Sequence, residues 1–203
     1  MNKVLVFSLL IPIFLFSADN RLENDKNYND ALLYLNGDKG VTMVTRTMPS
    51  CPYEKCAEVE NKDGTKTYSF AKKDLQRATF LLKASLQTNS NVMAAKEMVK
   101  LLQRRMNWKE PKPDGYLKAK LEEDLGISYQ EYKVLFLSSI ELLDKKNICE
   151  GISLKAEIVE NGYLGIKSDK QNALSYYVKA AKVCNSDSYL GMVASQKVKN
   201  LSK

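Results

Sequence analysis

The chain has 203 residues, with 31 Lys and Arg against 24 Asp and Glu, a formal charge of +7, and no histidine. Without imidazole there can be no Ser-His-Asp or Cys-His nucleophile and no catalytic metal held by histidine. At 44% hydrophobic and 27% charged, the composition is that of a globular protein, and the length suits one domain or one short repeat array.

The first residues are Met1-Asn2-Lys3, an apolar run from Val4 to Phe16, and then Ser17-Ala18 before the polar Asp19-Asn20-Arg21. One cation, an apolar stretch and small residues are the three regions of a secretory signal peptide, here residues 1–18 with cleavage near Ala18. The run falls short of the roughly 20 residues that span a bilayer, and Pro12 interrupts it. The mature protein is expected to be periplasmic or secreted, meeting the membrane only during export. In such a compartment the four cysteines are expected to form structural disulfides, for which three pairings exist. No C-x-x-C pair is present, which disfavours a zinc site and a thioredoxin-like motif.

Residues 19–107 read as an N-terminal helical region interrupted by a β-prone insertion at about 42–70. A short helix over Asn29–Asn36 stops at Gly37. Within the insertion, Asn61-Lys62-Asp63-Gly64 between two β-prone segments predicts a hairpin turn. Cys51 and Cys56 would clip the same insertion. From Ala71 a helical stripe of Leu75, Ala78, Thr79, Leu82 and Leu86 takes over, with Ser69 as its expected N-cap. A second helix carries Met93, Ala94, Met98, Leu101 and Leu102 and ends at Arg104-Arg105.

Residues 108–115 hold two prolines and a glycine and read as a linker. In the C-terminal helical region, 116–203, Gly126 stops a helix from Tyr116, and Ser128 with Glu131 forms a capping box. The helix it opens carries Tyr132, Leu135, Phe136, Ser139, Leu142 and Leu143 on one face. A helix over Cys149–Asn161 closes at Gly162, and a second capping box, Ser168 to Gln171, opens a helix running to Cys184. A last helix runs from Tyr189 to Asn200.

Moving Phe80 to Asn91 forward by 96 residues lays it on Tyr176 to Asp187, matching Lys83 to Lys179, Ala84 to Ala180, Asn89 to Asn185 and Ser90 to Ser186. This indicates an internal repeat of a helix, a polar turn and another helix. The midpoint between Cys149 and Cys184 lies between Ile166 and Lys167, inside the glycine loop. If the flanking helices form an antiparallel hairpin, the two cysteines face each other at its open end, and a bridge there contributes roughly 4 kcal/mol.

The second copy, about 149–184, carries Gly162 and Gly165 in the loop, then Asp169, Ala173, Tyr176, Tyr177, Lys179, Ala180 and Ala181. This segment resembles the Sel-one-like repeat, a branch of the tetratricopeptide repeats, in its secreted cysteine-containing bacterial form. Gly162 to Gly165 holds one residue more than that pattern, and Asn172 stands where a lysine is usual. The resemblance implies an all-α fold of helical-hairpin repeats, an α-solenoid, here with a small β-hairpin insertion. It also implies packing of the tyrosine pair between helices.

Ser69-Phe70-Ala71-Lys72 is an S-x-x-K sequence, as in penicillin-recognising enzymes, but neither Ser-Asp-Asn nor Lys-Thr-Gly accompanies it. Removal of a leader carrying only Lys3 leaves 30 basic against 24 acidic residues, +6. No interleaving of basic and aromatic residues suggests nucleic acid, and an acidic protein patch or envelope polymer suits the surplus better. The expected function is that of a non-catalytic adaptor or scaffold without cofactor or metal, binding a protein or peptide in the bacterial cell envelope. The alternatives are an envelope enzyme acting on a β-lactam or peptidoglycan, and a structural subunit of an envelope machine.

Overall fold

Side chains that cap their own helices set most of the helix boundaries. A computed structural model describes residues 25–38, 42–47, 57–109 and 113–202. The expected leader and the Cys51-Cys56 clip lie outside the described residues. In chain order the elements are α1 (Lys26–Asn36), β1 (Thr42–Thr47), β2 (Ala57–Glu60), β3 (Lys66–Lys72), α2 (Leu75–Asn89) and α3 (Val92–Arg105). They continue with α4 (Gly115–Leu125), α5 (Tyr129–Lys145), α6 (Cys149–Asn161), a 3-10 turn (Tyr163–Gly165), α7 (Lys170–Val183) and α8 (Tyr189–Leu201). Asp25, Asp74, Asn91, Asp114, Ser128, Asp169 and Ser188 each accept a backbone N–H of the first turn they precede. Among the described α-helices only α6 begins without such a cap, at Ile148.

The described chain is thus mostly helical, with one small antiparallel sheet. The sheet has three strands in the order β1-β3-β2, one more than the expected hairpin. The turn at Asn61 to Gly64 joins β2 to β3 as read from the sequence, and β1 pairs along the other edge of β3 from Thr42↔Lys72 to Thr47↔Thr67. Ser69 and Lys72 therefore lie in a strand, and the cap of α2 is Asp74, which accepts from Arg77 N at 2.9 Å. The expectation of Ser69 at a helix start is corrected. The β-branched Thr67 and the aromatic Tyr68 and Phe70 favour extended backbone, and the strand runs on through Lys72. The S-x-x-K motif needs its two residues one helical turn apart, a spacing that an extended strand does not give.

Apart from α4, which packs on α2 and α5, the helices pack successively: α1 on α2, α2 on α3, α3 on α5, α5 on α6, α6 on α7 and α7 on α8. Leu82, Met98, Leu102, Leu121, Leu125, Tyr132, Phe136, Ile140 and Leu143 are fully buried in one core that runs from Ala31 to Leu164. That core crosses the segment expected to be a linker. Trp108 is buried between Phe136, at 5.8 Å, and Tyr163, edge-on at 5.4 Å. The segment expected to be a linker thus has a buried tryptophan at its start, and Gly115 at its end is already helical, behind the Asp114 cap.

The open end of the α1/α2 hairpin is tied by Asp25. Its carboxylate is 4% exposed and accepts from Ser85 Oγ at 2.5 Å, Asn89 Nδ2 at 2.9 Å, Asn91 Nδ2 at 3.0 Å and Tyr28 N at 3.1 Å. Burial alone raises its pKa, but the donors together prevail and lower it from 3.8 to about 2. A carboxylate depressed on folding stabilises above its unfolded pKa and loses that stability as the pH falls through the folded value. The difference amounts to about 2 kcal/mol. We expect denaturation midpoints to fall between about pH 4 and pH 2, and Asp25→Asn to be less stable at neutral pH with a flatter profile over that window. A variant with an unchanged acid profile would refute the assignment.

Candidate functional site

The α6/α7 hairpin is built as the cysteine symmetry requires. Cys149, the first residue of α6, is bonded to Cys184, the C-cap of α7, with Cα atoms 5.0 Å apart and a sequence separation of 35. The bridge therefore fixes the one helix start that lacks a side-chain cap. At the closed end Gly162 caps α6 at φ 72°, and Gly165 turns the chain at φ 83°. A Cβ at Gly162 would stand 3.0 Å from the Ile166 carbonyl. Asp169, not Ser168, is the N-cap of α7, accepting from Asn172 N at 2.9 Å. Ser168 instead donates to the Glu160 carbonyl at 2.5 Å. The second expected capping box is thus corrected: the carboxylate one residue later is the stronger acceptor. At Ser128 only half of the first box forms, since the Glu131 carboxylate pairs with Lys83.

The remaining motif residues divide between core and a polar cluster. Ala173, Tyr177 and Ala180 are buried with Ile152, Ala156 and Ala194, while Ala181 is partly buried. Tyr176 is half-buried, with the Lys155 ammonium 4.8 Å from its ring centre. Lys179 donates to the Asp144 carboxylate at 2.6 Å, and Lys155 donates to the same carboxylate at 2.7 Å and to Glu141. Burial raises the Asp144 carboxyl, and the two ammonium groups more than reverse it, holding it below the usual range. Sequence reading did not find this cluster. Asp144 was its one visible sign, a charge eight residues beyond Phe136 on the buried face of α5.

Beside the hairpin lies a groove of about 410 Å³ between α6, α8 and the end of α3. The α6 wall presents Glu150, Ser153, Leu154 and Glu157, spaced as one helical face. Opposite stand Tyr189, Leu190, Val193 and Lys197 of α8, and Gln103 and Lys109 close the α3 side. Tyr189 is 75% exposed. Lys109 pairs with Glu157 at 2.6 Å and lies 5.2 Å from the Trp108 ring centre. The hydrogen bond that Lys109 donates to Glu157 raises the lysine's pKa. Lys197 holds Glu160 at 2.7 and 2.8 Å, and the Tyr177 hydroxyl donates to the same carboxylate at 2.7 Å. Burial raises Glu160, but these donors keep its carboxyl below the ordinary range.

The groove thus has an apolar floor and a rim of ion pairs. Among the described residues no group of three or more Cys, Asp or Glu could hold a metal ion, and no helix is long and apolar enough to cross a membrane. No family model, curated protein or solved structure matches the chain.

Proposed function

We propose that this is an exported, non-catalytic repeat protein whose groove takes a protein or peptide partner in a bacterial cell envelope. The observation that carries the reading is the origin of the groove's walls. The helices α3, α6 and α8 begin 40 or more residues apart in sequence yet line one concave face. In stacked helical hairpins the first helix of each unit does this, and the shared face is where such arrays bind. Here α3 pairs with α5, α6 with α7, and α8 packs on α7.

The internal repeat supports the same reading. Carried 96 residues forward, the boundaries of α2 and α3 fall within two residues of those of α7 and α8. Leu81 and its counterpart Tyr177 are both buried, at 6% and 3% exposure. Phe80 and Tyr176 differ, since Phe80 is 58% exposed under the Arg77 guanidinium while Tyr176 is covered from α6 by Lys155. These regularities favour the α-solenoid architecture and the likeness to the Sel-one-like repeats. The signal-like leader and the Cys149-Cys184 bridge favour an oxidising compartment.

Affinity capture from a periplasmic extract, with the wild type and with Tyr189→Ser, tests the proposal. We expect one stoichiometric partner on the wild type and its loss from the variant, whose altered side chain is too exposed to matter for folding. Covalent labelling of the purified protein by a penicillin probe would overturn it in favour of an enzyme.

A further inference from the structure

A chain of charge +7 invites an acidic partner, but the groove is arranged against one. Both of its lysines are already neutralised, Lys109 by Glu157 and Lys197 by Glu160. An incoming carboxylate would have to displace a protein carboxylate from each. Glu150, by contrast, is exposed on the first turn of α6 and has no ion-pair or hydrogen-bond partner among the described residues. Two cations thus face three carboxylates in and behind the groove, leaving it locally acidic on a basic protein.

Distance along α6 sets the size of what fits. Glu150 to Asn161 spans about 16 Å at the helical rise, which matches about five residues of extended peptide. Glu157, with its paired Lys109, stands about 10 Å along α6 from Glu150, so a cation at Glu150 need not approach Lys109. Between these points Leu154 lines the groove together with Leu190 and Val193 of α8.

We propose that the groove takes an extended peptide of about five residues that places an apolar side chain on Leu154, Leu190 and Val193 and a cationic side chain at Glu150. This rests on the reading of the groove as a peptide site. The net positive charge of the protein then serves solubility and general attraction, while the groove selects the opposite sign from the one the composition suggests.

Fluorescence anisotropy with three end-blocked, fluorophore-tagged pentapeptides tests this. Each carries a central leucine, and the first position is lysine, glutamine or glutamate. We expect the lysine peptide to bind about three- to fivefold more tightly than the glutamate peptide, as one solvent-exposed ion pair allows, with glutamine between them. Glu150→Gln should erase the preference, and about 0.5 M salt should compress it in the wild type. Equal or tighter binding of the glutamate peptide, or a preference that survives Glu150→Gln, overturns the inference. If all three bind and weaken together in Tyr189→Ser without a charge preference, the groove reading stands and the charge assignment alone falls. If none binds, or Tyr189→Ser binds all three as the wild type does, both fall.

Discussion

Replacing Cys149 and Cys184 together by alanine is expected to cost about 4 kcal/mol, the chain-entropy value for a bridge across 35 residues. In a protein of this size that corresponds to a melting temperature lower by about 8 to 16 °C. Alanine is chosen because Cys184 is buried at 6% exposure, where a serine hydroxyl would add a desolvation cost of its own. The loss should be local. Hydrogen exchange should show α6, α7 and α8 opening at lower free energy, while α2, α3 and α5 keep the protection of the larger core. A double variant melting within about 2 °C of the wild type would mean that the bridge adds nothing to a hairpin already held by its packing.

Gly191→Ala should be nearly as costly, at about 3 kcal/mol. A Cβ there would stand 2.1 Å from the Asn185 carbonyl oxygen and 2.9 Å from its carbon, both backbone atoms that no rotamer change can move. The clash can be relieved only by lifting the start of α8 away from the turn that follows α7. The same movement displaces Tyr189, Leu190 and Val193, so peptide binding should fall with stability. Gly115→Ala is the control: a Cβ at that position meets nothing within 4 Å, and helix propensity alone should make it neutral or slightly stabilising. Equal melting temperatures for the two alanine variants would show that α8 can be reseated without loss.

The sequence reading succeeded where one local signal decides the outcome. The apolar spacing of α2 and α5 buries Ala78, Thr79, Leu82, Tyr132, Phe136 and Ser139 as expected, and Gly37, Gly126 and Gly162 end their helices. The hairpin pairing of Cys149 with Cys184 was legible because antiparallel helices convert a midpoint in sequence into a contact in space. It failed at Ser69, where strand pairing extended two residues past the apparent start of the helical period. At the start of 108–115 it missed the burial of Trp108, since proline and glycine report backbone conformation and say nothing of a side chain's place in the core. The groove had no sequence signature. Its walls come from three helices, each of which looks on its own like an ordinary amphipathic surface.

The two helical hairpins are closed at the same place by different chemistry. Asp25 ties the start of α1 to the end of α2 through hydrogen bonds, and Cys149 ties the start of α6 to the end of α7 through a covalent bond. Each clasp answers to a different reagent. Among the described residues, a thiol reductant at neutral pH addresses the bridge of the C-terminal hairpin and so the groove beside it. Acid without reductant leaves that bridge intact and protonates Asp25 in the N-terminal hairpin, as it does Asp144 and Glu160 in the C-terminal half. The two clasps therefore differ in what opens them, and the hairpin beside the proposed binding face is the one whose clasp depends on the redox state of its surroundings.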